Sequence, residues 1–122
     1  MGGIISLYIA LEYPKLFSKA AALSPSLYWA NRKLLELSKT KADPRKTLIW
    51  LSMGTEEGEK IAERGGATES ATDSRELRDI LKTKGFEENE NLIYYEEPGG
   101  RHSEKYWARL MPKVLEFLLT GR

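Results

Sequence analysis

The chain has 122 residues, the length of one ordinary domain, and we predict a single domain over residues 1–122. Its 19 Lys and Arg side chains nearly balance its 18 Asp and Glu side chains, and the resulting net charge of +1 excludes proteins that hold nucleic acid by neutralising many phosphates. The chain contains no Cys and one His, which excludes disulfide scaffolds, thiolate zinc sites and multi-histidine metal centres, and we predict neither a metal nor a cofactor.

Hydrophobic spacing predicts two helices and one strand in the first part of the chain. Residues 3–13 carry apolar side chains at helical spacing, and Pro14 ends this helix because the residue before a proline avoids the helical region. The short apolar run at residues 19–24 predicts a buried strand. Residues 31–39 form a second predicted helix with its leucines facing inward, and a turn follows at Asp43.

The second part of the chain carries the clearest strand. Residues 47–53 are almost continuously apolar and β-favouring, which indicates a strand buried on both faces. Residues 56–67 read as a charged, glycine-rich loop with one helical turn, and residues 72–84 as a helix. A third strand at residues 91–97 leads to a final helix at residues 104–119. The positions of this helix predicted to face the core are Trp107, Leu110, Met111, Val114, Leu115 and Leu118.

The alternation of these elements predicts the fold class. Helices and strands that alternate along a chain form right-handed βαβ units around a parallel sheet. The expected architecture is therefore α/β, with about three parallel strands flanked by helices. In such sheets the functional groups lie beyond the carboxyl ends of the strands, which here means residues 24–29, 54–57 and 98–103.

Two side chains in these loops are candidates for acid–base chemistry. His102 follows the last predicted strand in a glycine-rich loop, and Glu57 follows the strand before it. Neighbouring strand ends bring the two within hydrogen-bonding reach, and a carboxylate on one imidazole nitrogen prepares the other nitrogen as a general base. Two alternatives stay open from the pattern alone: a histidine without a catalytic role, and a solvated charge run in which Glu57 is one of several exposed carboxylates.

Several short motifs follow one another in an order typical of one enzyme family. Residues 1–3 (MGG) precede an apolar helix that ends in Tyr-Pro, and residues 23–29 (LSPSLYW) follow the next apolar segment. Residues 54–58 (GTEEG) and 99–103 (GGRHS) come later, with Trp107 one turn beyond. Together these motifs, spread over almost the whole chain, resemble the α/β-hydrolase superfamily, in its branch of serine esterases that includes esterase D-like and enterochelin-esterase-like enzymes.

The resemblance implies a truncated α/β-hydrolase fold and a Ser, acid, His order of catalytic residues, in which Glu57 and His102 take the last two places. If residues 1–3 continue a G-x-S-M-G-G nucleophile elbow, the catalytic serine belongs immediately before Met1. We therefore expect the C-terminal part of a carboxylesterase-type hydrolase that acts on a small-molecule ester in its parent protein. Without the nucleophile we expect this chain to be inactive.

Other serines are poor substitutes for the missing nucleophile. Ser6 lies on the first predicted helix, and Ser24 and Ser26 are expected to line the site. Ser103 adjoins His102 and is expected to cap the last helix. None of these four serines lies on a strained strand-to-helix elbow, which an activated hydroxyl requires together with a base and an oxyanion site.

The sequence also predicts partners and location. The strand at residues 19–24 is expected at a sheet edge and the first helix lacks part of its packing partner, so we expect a homodimer or higher oligomer through both. No apolar run approaches the roughly 20 residues that span a bilayer, and no basic region precedes the apolar first residues as in a signal peptide. We expect a cytoplasmic protein without a membrane or nucleic-acid partner.

Two competing functions remain beside the inactive hydrolase. One is an active carboxylesterase whose serine comes from a missing or separate segment. The other is a non-catalytic interaction or ligand-binding domain that oligomerises through its exposed sheet edge. Tyr28 and Trp29 suggest an aromatic wall beside the site in the first case, and core packing otherwise.

Overall fold

Helices and strands alternate along the chain, as the hydrophobic spacing predicts. The computed structural model describes residues 1–121 apart from the side chain of Arg64. Arg122, the last residue of the predicted domain, lies outside the described residues. Within the described part there are four α-helices, three β-strands and one 3₁₀ turn. They are α1 (Gly2–Glu12), β1 (Lys19–Leu23), α2 (Trp29–Lys41), β2 (Leu48–Gly54), the 3₁₀ turn (Ala62–Arg64), α3 (Glu69–Thr83), β3 (Leu92–Glu97) and α4 (Glu104–Thr120).

The three strands form one parallel sheet in the order β1–β2–β3. Ala21 of β1 aligns with Trp50 of β2, which in turn aligns with Ile93 of β3. Every residue of β2 after Leu48 is buried, because strands flank it on both sides and helices cover both faces. The predicted parallel α/β architecture and the two-sided burial of the central strand are confirmed.

Alternate side chains of β2 point into two separate parts of the core. Ile49 and Leu51 are fully buried in a cluster that includes residues of α1, α2 and α3. Trp50, between them in sequence, packs with residues of α4 on the opposite face. Three helices therefore cover one face of the sheet and α4 covers the other, so that the loops after β1, β2 and β3 emerge together at one edge.

The buried face of α4 differs from the predicted one. Leu110, Val114 and Phe117 are buried, whereas Met111 is 39% exposed and Leu115 is 50% exposed. Apolar residues occupy two adjacent stripes of this helix, so its spacing alone allows either to face inward. Packing against the sheet decides between them, because the Phe117 ring lies 6.0 Å from that of Trp50.

We expect Phe117→Ala to lower the free energy of unfolding by about 3–5 kcal/mol, because it removes a fully buried ring and leaves a cavity. Leu115→Ala, two positions away on the exposed stripe, is the matched control and should change it by less than about 0.5 kcal/mol. Urea denaturation of both variants measures the difference. Equal losses at the two positions would contradict the assignment of the buried face.

The connection from α2 to β2 is a turn held by one carboxylate, at the predicted position. Asp43 Oδ1 accepts hydrogen bonds from the Arg45 backbone N–H at 2.9 Å and from Arg45 Nε at 3.1 Å, and Asp43 Oδ2 accepts from Arg45 Nη2 at 3.0 Å. These side-chain and backbone hydrogen bonds from Arg45 lower the pKa of Asp43 to about 2. The turn thus prefers an ionised carboxylate.

We expect Asp43→Asn to destabilise the protein in a pH-dependent way. The pKa of Asp43 is lower in the folded than in the unfolded chain, so the unfolded chain binds more protons between about pH 4 and pH 2. The stabilisation by the charged form is therefore complete above about pH 4 and is lost as the pH falls towards 2. The urea midpoints of the unsubstituted protein and of Asp43→Asn, measured across this pH range, test the prediction. A difference between the two midpoints that does not change with pH would contradict it.

Candidate active site

Glu57 is held in a tight turn directly after β2. Its side chain is only 3% exposed. The Gly54 N–H donates a hydrogen bond to Glu57 Oε2 at 3.2 Å, and the Glu57 N–H donates to the Gly54 carbonyl at 3.3 Å. The turn therefore buries a carboxylate at the carboxyl edge of the sheet and fixes one of its two oxygens.

The loops after β2 and β3 are joined backbone to backbone. The Thr55 N–H donates to the Glu97 carbonyl at 3.0 Å and the Glu56 N–H to the Gly100 carbonyl at 2.9 Å. A Cβ at Gly54 would lie 2.3 Å from the Gly100 carbonyl oxygen, so only glycine at this position permits such a close approach. The two candidate loops are consequently fixed relative to each other.

This junction brings Glu57 and His102 side by side. His102 Nδ1 lies 3.4 Å from Glu57 Oε1, and the His102 side chain is 57% exposed. Glu57 Oε1 is buried and accepts no well-aligned hydrogen bond from any described residue. Hydrogen bonds in active sites are often long or poorly aligned in proteins without substrate. With Nδ1–H directed at the carboxylate, Nε2 is the nitrogen left to accept a proton.

Trp107 and Ser24 complete the surroundings of the imidazole. The rings of Trp107 and His102 meet edge to face, with centroids 4.9 Å apart at 90°. Trp107 Nε1 donates a hydrogen bond to Ser24 Oγ at 2.8 Å, although the two residues are 83 positions apart in sequence. The sequence prediction assigned Trp107 to the core and missed this contact. The only signal for it is the location of Ser24, which comes directly after β1.

Ser6, Ser24 and Ser103, which are candidate substitutes for the nucleophile, have different surroundings. The Ser6 hydroxyl donates to the Gly2 carbonyl within α1, and the Ser24 hydroxyl accepts from Trp107. Ser103 occupies the predicted N-cap position of α4, but its side chain makes no capping hydrogen bond. No serine hydroxyl within residues 1–121 forms a hydrogen bond with His102.

An exposed aromatic segment lies between β1 and α2. Tyr28 is 62% exposed and Trp29 is 53% exposed, so neither is a core residue. Ala30 and Arg32 at the start of α2 have φ of 50° and 64°, a left-handed turn that ordinary side chains rarely adopt. Arg32 Nε lies 3.1 Å from Asp73 Oδ1 on α3, and this ion pair anchors the segment.

Over residues 1–121, no three His, Asp or Glu side chains are grouped as a metal ion would require. The helices in the same range are too short or too polar to cross a lipid bilayer.

Sequence comparisons place the chain in a known family. A family model described as "Putative esterase" matches residues 1–118. The chain is 28% identical over 118 residues to the protein YbbA of Bacillus subtilis (strain 168). This alignment covers 97% of this chain and 46% of YbbA. It is 27% identical over 119 residues to YjcH of the same bacterium, in an alignment that covers 98% of this chain and 46% of YjcH. The chain thus spans about half the length of these curated relatives.

Two solved structures share the fold at low sequence identity. The siderophore hydrolase EstB from Aspergillus nidulans is 19% identical, with a TM-score of 0.64 over 95% of this chain and 44% of its own. The siderophore hydrolase EstA from the same fungus is also 19% identical, with a TM-score of 0.64 over 98% of this chain and 45% of its own. The family match covers residues 1–118, and the chain belongs to this esterase family.

Proposed function

We propose that this chain carries the acid and the base of a Ser-His-acid esterase, with Glu57 as the acid and His102 as the general base. The observation that carries the proposal is the buried Glu57 carboxylate 3.4 Å from His102 Nδ1 at the carboxyl edge of the sheet. A carboxylate in this position fixes the tautomer of the imidazole and stabilises the imidazolium that forms during catalysis. Membership of the esterase family supports the same chemistry.

The nucleophile in this proposal is a serine immediately ahead of Met1 in a longer parent protein. The resemblance of residues 1–3 to a nucleophile elbow supports this, as does the share of about 46% that the chain covers in its relatives. His102 Nε2 would take the serine proton as Oγ attacks the ester carbonyl carbon, and would then return that proton to the departing alcohol. Water, deprotonated by the same nitrogen, would then attack the acyl carbon, and the imidazolium would return the proton to serine Oγ as the acyl–oxygen bond breaks and the acid leaves.

The substrate of the parent enzyme is, in this proposal, a small-molecule ester with an apolar or aromatic part. Tyr28 and Trp29 support this, because both are exposed where the chain passes from the loop after β1 into α2. Two structural neighbours are siderophore hydrolases, which makes siderophore esters a natural class to assay beside simple aromatic esters.

The test begins with the nucleotides upstream of the Met1 codon, where an in-frame Gly-x-Ser is expected. In the protein extended through that segment, Glu57→Gln should lower kcat for a p-nitrophenyl ester by roughly 10⁴-fold, because the imidazole loses its orienting carboxylate. His102→Ala should lower it by roughly 10⁶-fold, because the general base is lost. Glu59→Gln, an exposed carboxylate on the same loop, is the matched control and should leave kcat unchanged.

The 122-residue chain supplies the complementary measurement. A fluorophosphonate probe should label the extended protein and leave this chain unlabelled, because labelling needs an activated serine. Labelling of a serine within residues 1–122 would contradict the proposed position of the nucleophile. Full activity of Glu57→Gln in the extended protein would contradict the proposed role of Glu57.

We propose as a second candidate that the chain acts as an interaction domain whose partner is a second copy of itself. An apolar groove of about 280 Å³ lies between α1 and α2. Its apolar lining includes Ile4, Ile5, Tyr8, Trp29, Leu34 and Leu37. Within the described residues β1 pairs with β2 alone, so its outer edge carries free backbone groups beside α1. Pairing of two such edges would give a continuous six-stranded sheet.

Sedimentation velocity at micromolar concentration tests the second candidate. The chain should sediment as a dimer or a higher oligomer, and Ile5→Lys should shift it to monomer by placing a charge in the apolar groove. Leu115→Lys is the matched control, since both side chains are 50% exposed and Leu115 lies on α4 across the sheet. If the unsubstituted 122-residue chain is a monomer, this candidate is contradicted and the esterase proposal is unaffected.

A further inference from the structure

The His102 imidazole is largely open to solvent and has few neighbours that fix its orientation. More than half of its side chain is exposed, so packing alone does not hold the ring. Glu57 faces Nδ1 at 3.4 Å, and the Trp107 indole meets the ring edge to face at 4.9 Å between centroids. Aromatic pairs in this geometry attract each other beyond the area that they bury.

Trp107 is itself held in place by Ser24. The indole N–H donates to Ser24 Oγ at 2.8 Å. Ser24 is buried, and its N–H donates to the Ser52 carbonyl at 2.8 Å, which ties its backbone to β2. Its φ of 52° is unusual for a residue other than glycine and directs the chain into the turn that follows β1. The hydroxyl that receives the indole is therefore fixed by the sheet.

The same turn also contacts the first helix. A Cβ at Gly3 would lie 3.0 Å from Pro25 Cα and 3.2 Å from the Leu23 carbonyl oxygen. The beginning of α1 thus lies directly against the residues on either side of Ser24. A continuous series of contacts runs from the first turn of α1, through Ser24 and Trp107, to the imidazole of His102.

We propose that Trp107, anchored by Ser24, is a positioning residue for His102. It restricts the imidazole to the orientation in which Nδ1–H faces Glu57 and Nε2 is the free acceptor. It also aligns this orientation with the beginning of α1, where the proposed nucleophile joins the chain. The inference rests on the proposed function, because orientation of the ring matters only if His102 is the base.

The single histidine of the chain makes a direct test possible, since every imidazole signal in a ¹⁵N–¹³C correlation spectrum belongs to His102. The readout is the ratio of the Nδ1–H to the Nε2–H tautomer at about pH 9, where imidazoles are normally neutral. The unsubstituted chain should favour the Nδ1–H tautomer, and Glu57→Gln should reverse this preference. Trp107→Leu should lower the ratio by roughly twofold to tenfold.

Milder variants separate the ring from its anchor. Trp107→Phe keeps an aromatic ring without the N–H donor, and Ser24→Ala removes only the acceptor, so each should lower the ratio by less than Trp107→Leu does. Trp50→Phe is the matched control. Trp50 Nε1 also donates to a serine hydroxyl, that of Ser52 at 3.2 Å, but the ring packs in the core, so the ratio should not change.

The outcomes distinguish the two proposals. A ratio that does not respond to Glu57→Gln would overturn the Glu57–His102 pair and the proposed function with it. A ratio that responds to Glu57→Gln but not to Trp107→Leu would overturn the role of Trp107 alone. If Trp107→Leu does not fold, Ser24→Ala and Trp107→Phe decide, and unchanged ratios in both would overturn it.

Discussion

The backbone of Gly54 passes so close to that of Gly100 that a Cβ on Gly54 would lie 2.3 Å from the Gly100 carbonyl oxygen. The loops after β2 and β3 are therefore joined through main-chain atoms, which have far less freedom than side chains that can change rotamer. Glu57 and His102 lie only three and two residues beyond this contact. Their separation is thus set by backbone geometry, and the chemistry available at this edge of the sheet depends on it.

Burial is distributed unequally between the two side chains. The Glu57 carboxylate is 3% exposed and the His102 imidazole 57% exposed. A buried charge is costly unless it is hydrogen-bonded, and Glu57 receives one such bond, from Gly54 to Oε2. Its other oxygen lies 3.4 Å from Nδ1 of the His102 imidazole. Solvent access to His102 leaves its other nitrogen within reach of a substrate.

Three features at this end of the molecule are structurally connected. The Glu57–His102 pair lies beyond β2 and β3, the Ser24 turn lies beyond β1, and α1 begins against that turn. Trp107 connects the pair with the turn, because its ring contacts His102 and its N–H binds Ser24. The apolar groove between α1 and α2 is lined in part by Met1, at the beginning of the chain, and by Trp29, at the beginning of α2.

The sequence by itself determined the order of the helices and strands, the parallel sheet and the edge at which functional loops meet. These follow from local patterns: hydrophobic spacing, the continuous apolar run of β2, and prolines and glycines at the ends of elements. Only the tertiary structure decided which stripe of α4 is buried, with Phe117 rather than Leu115 inward, because both stripes are apolar and the ring of Trp50 selects one. It alone revealed the hydrogen bond between Ser24 and Trp107, since contacts across 83 positions leave no local pattern in the sequence.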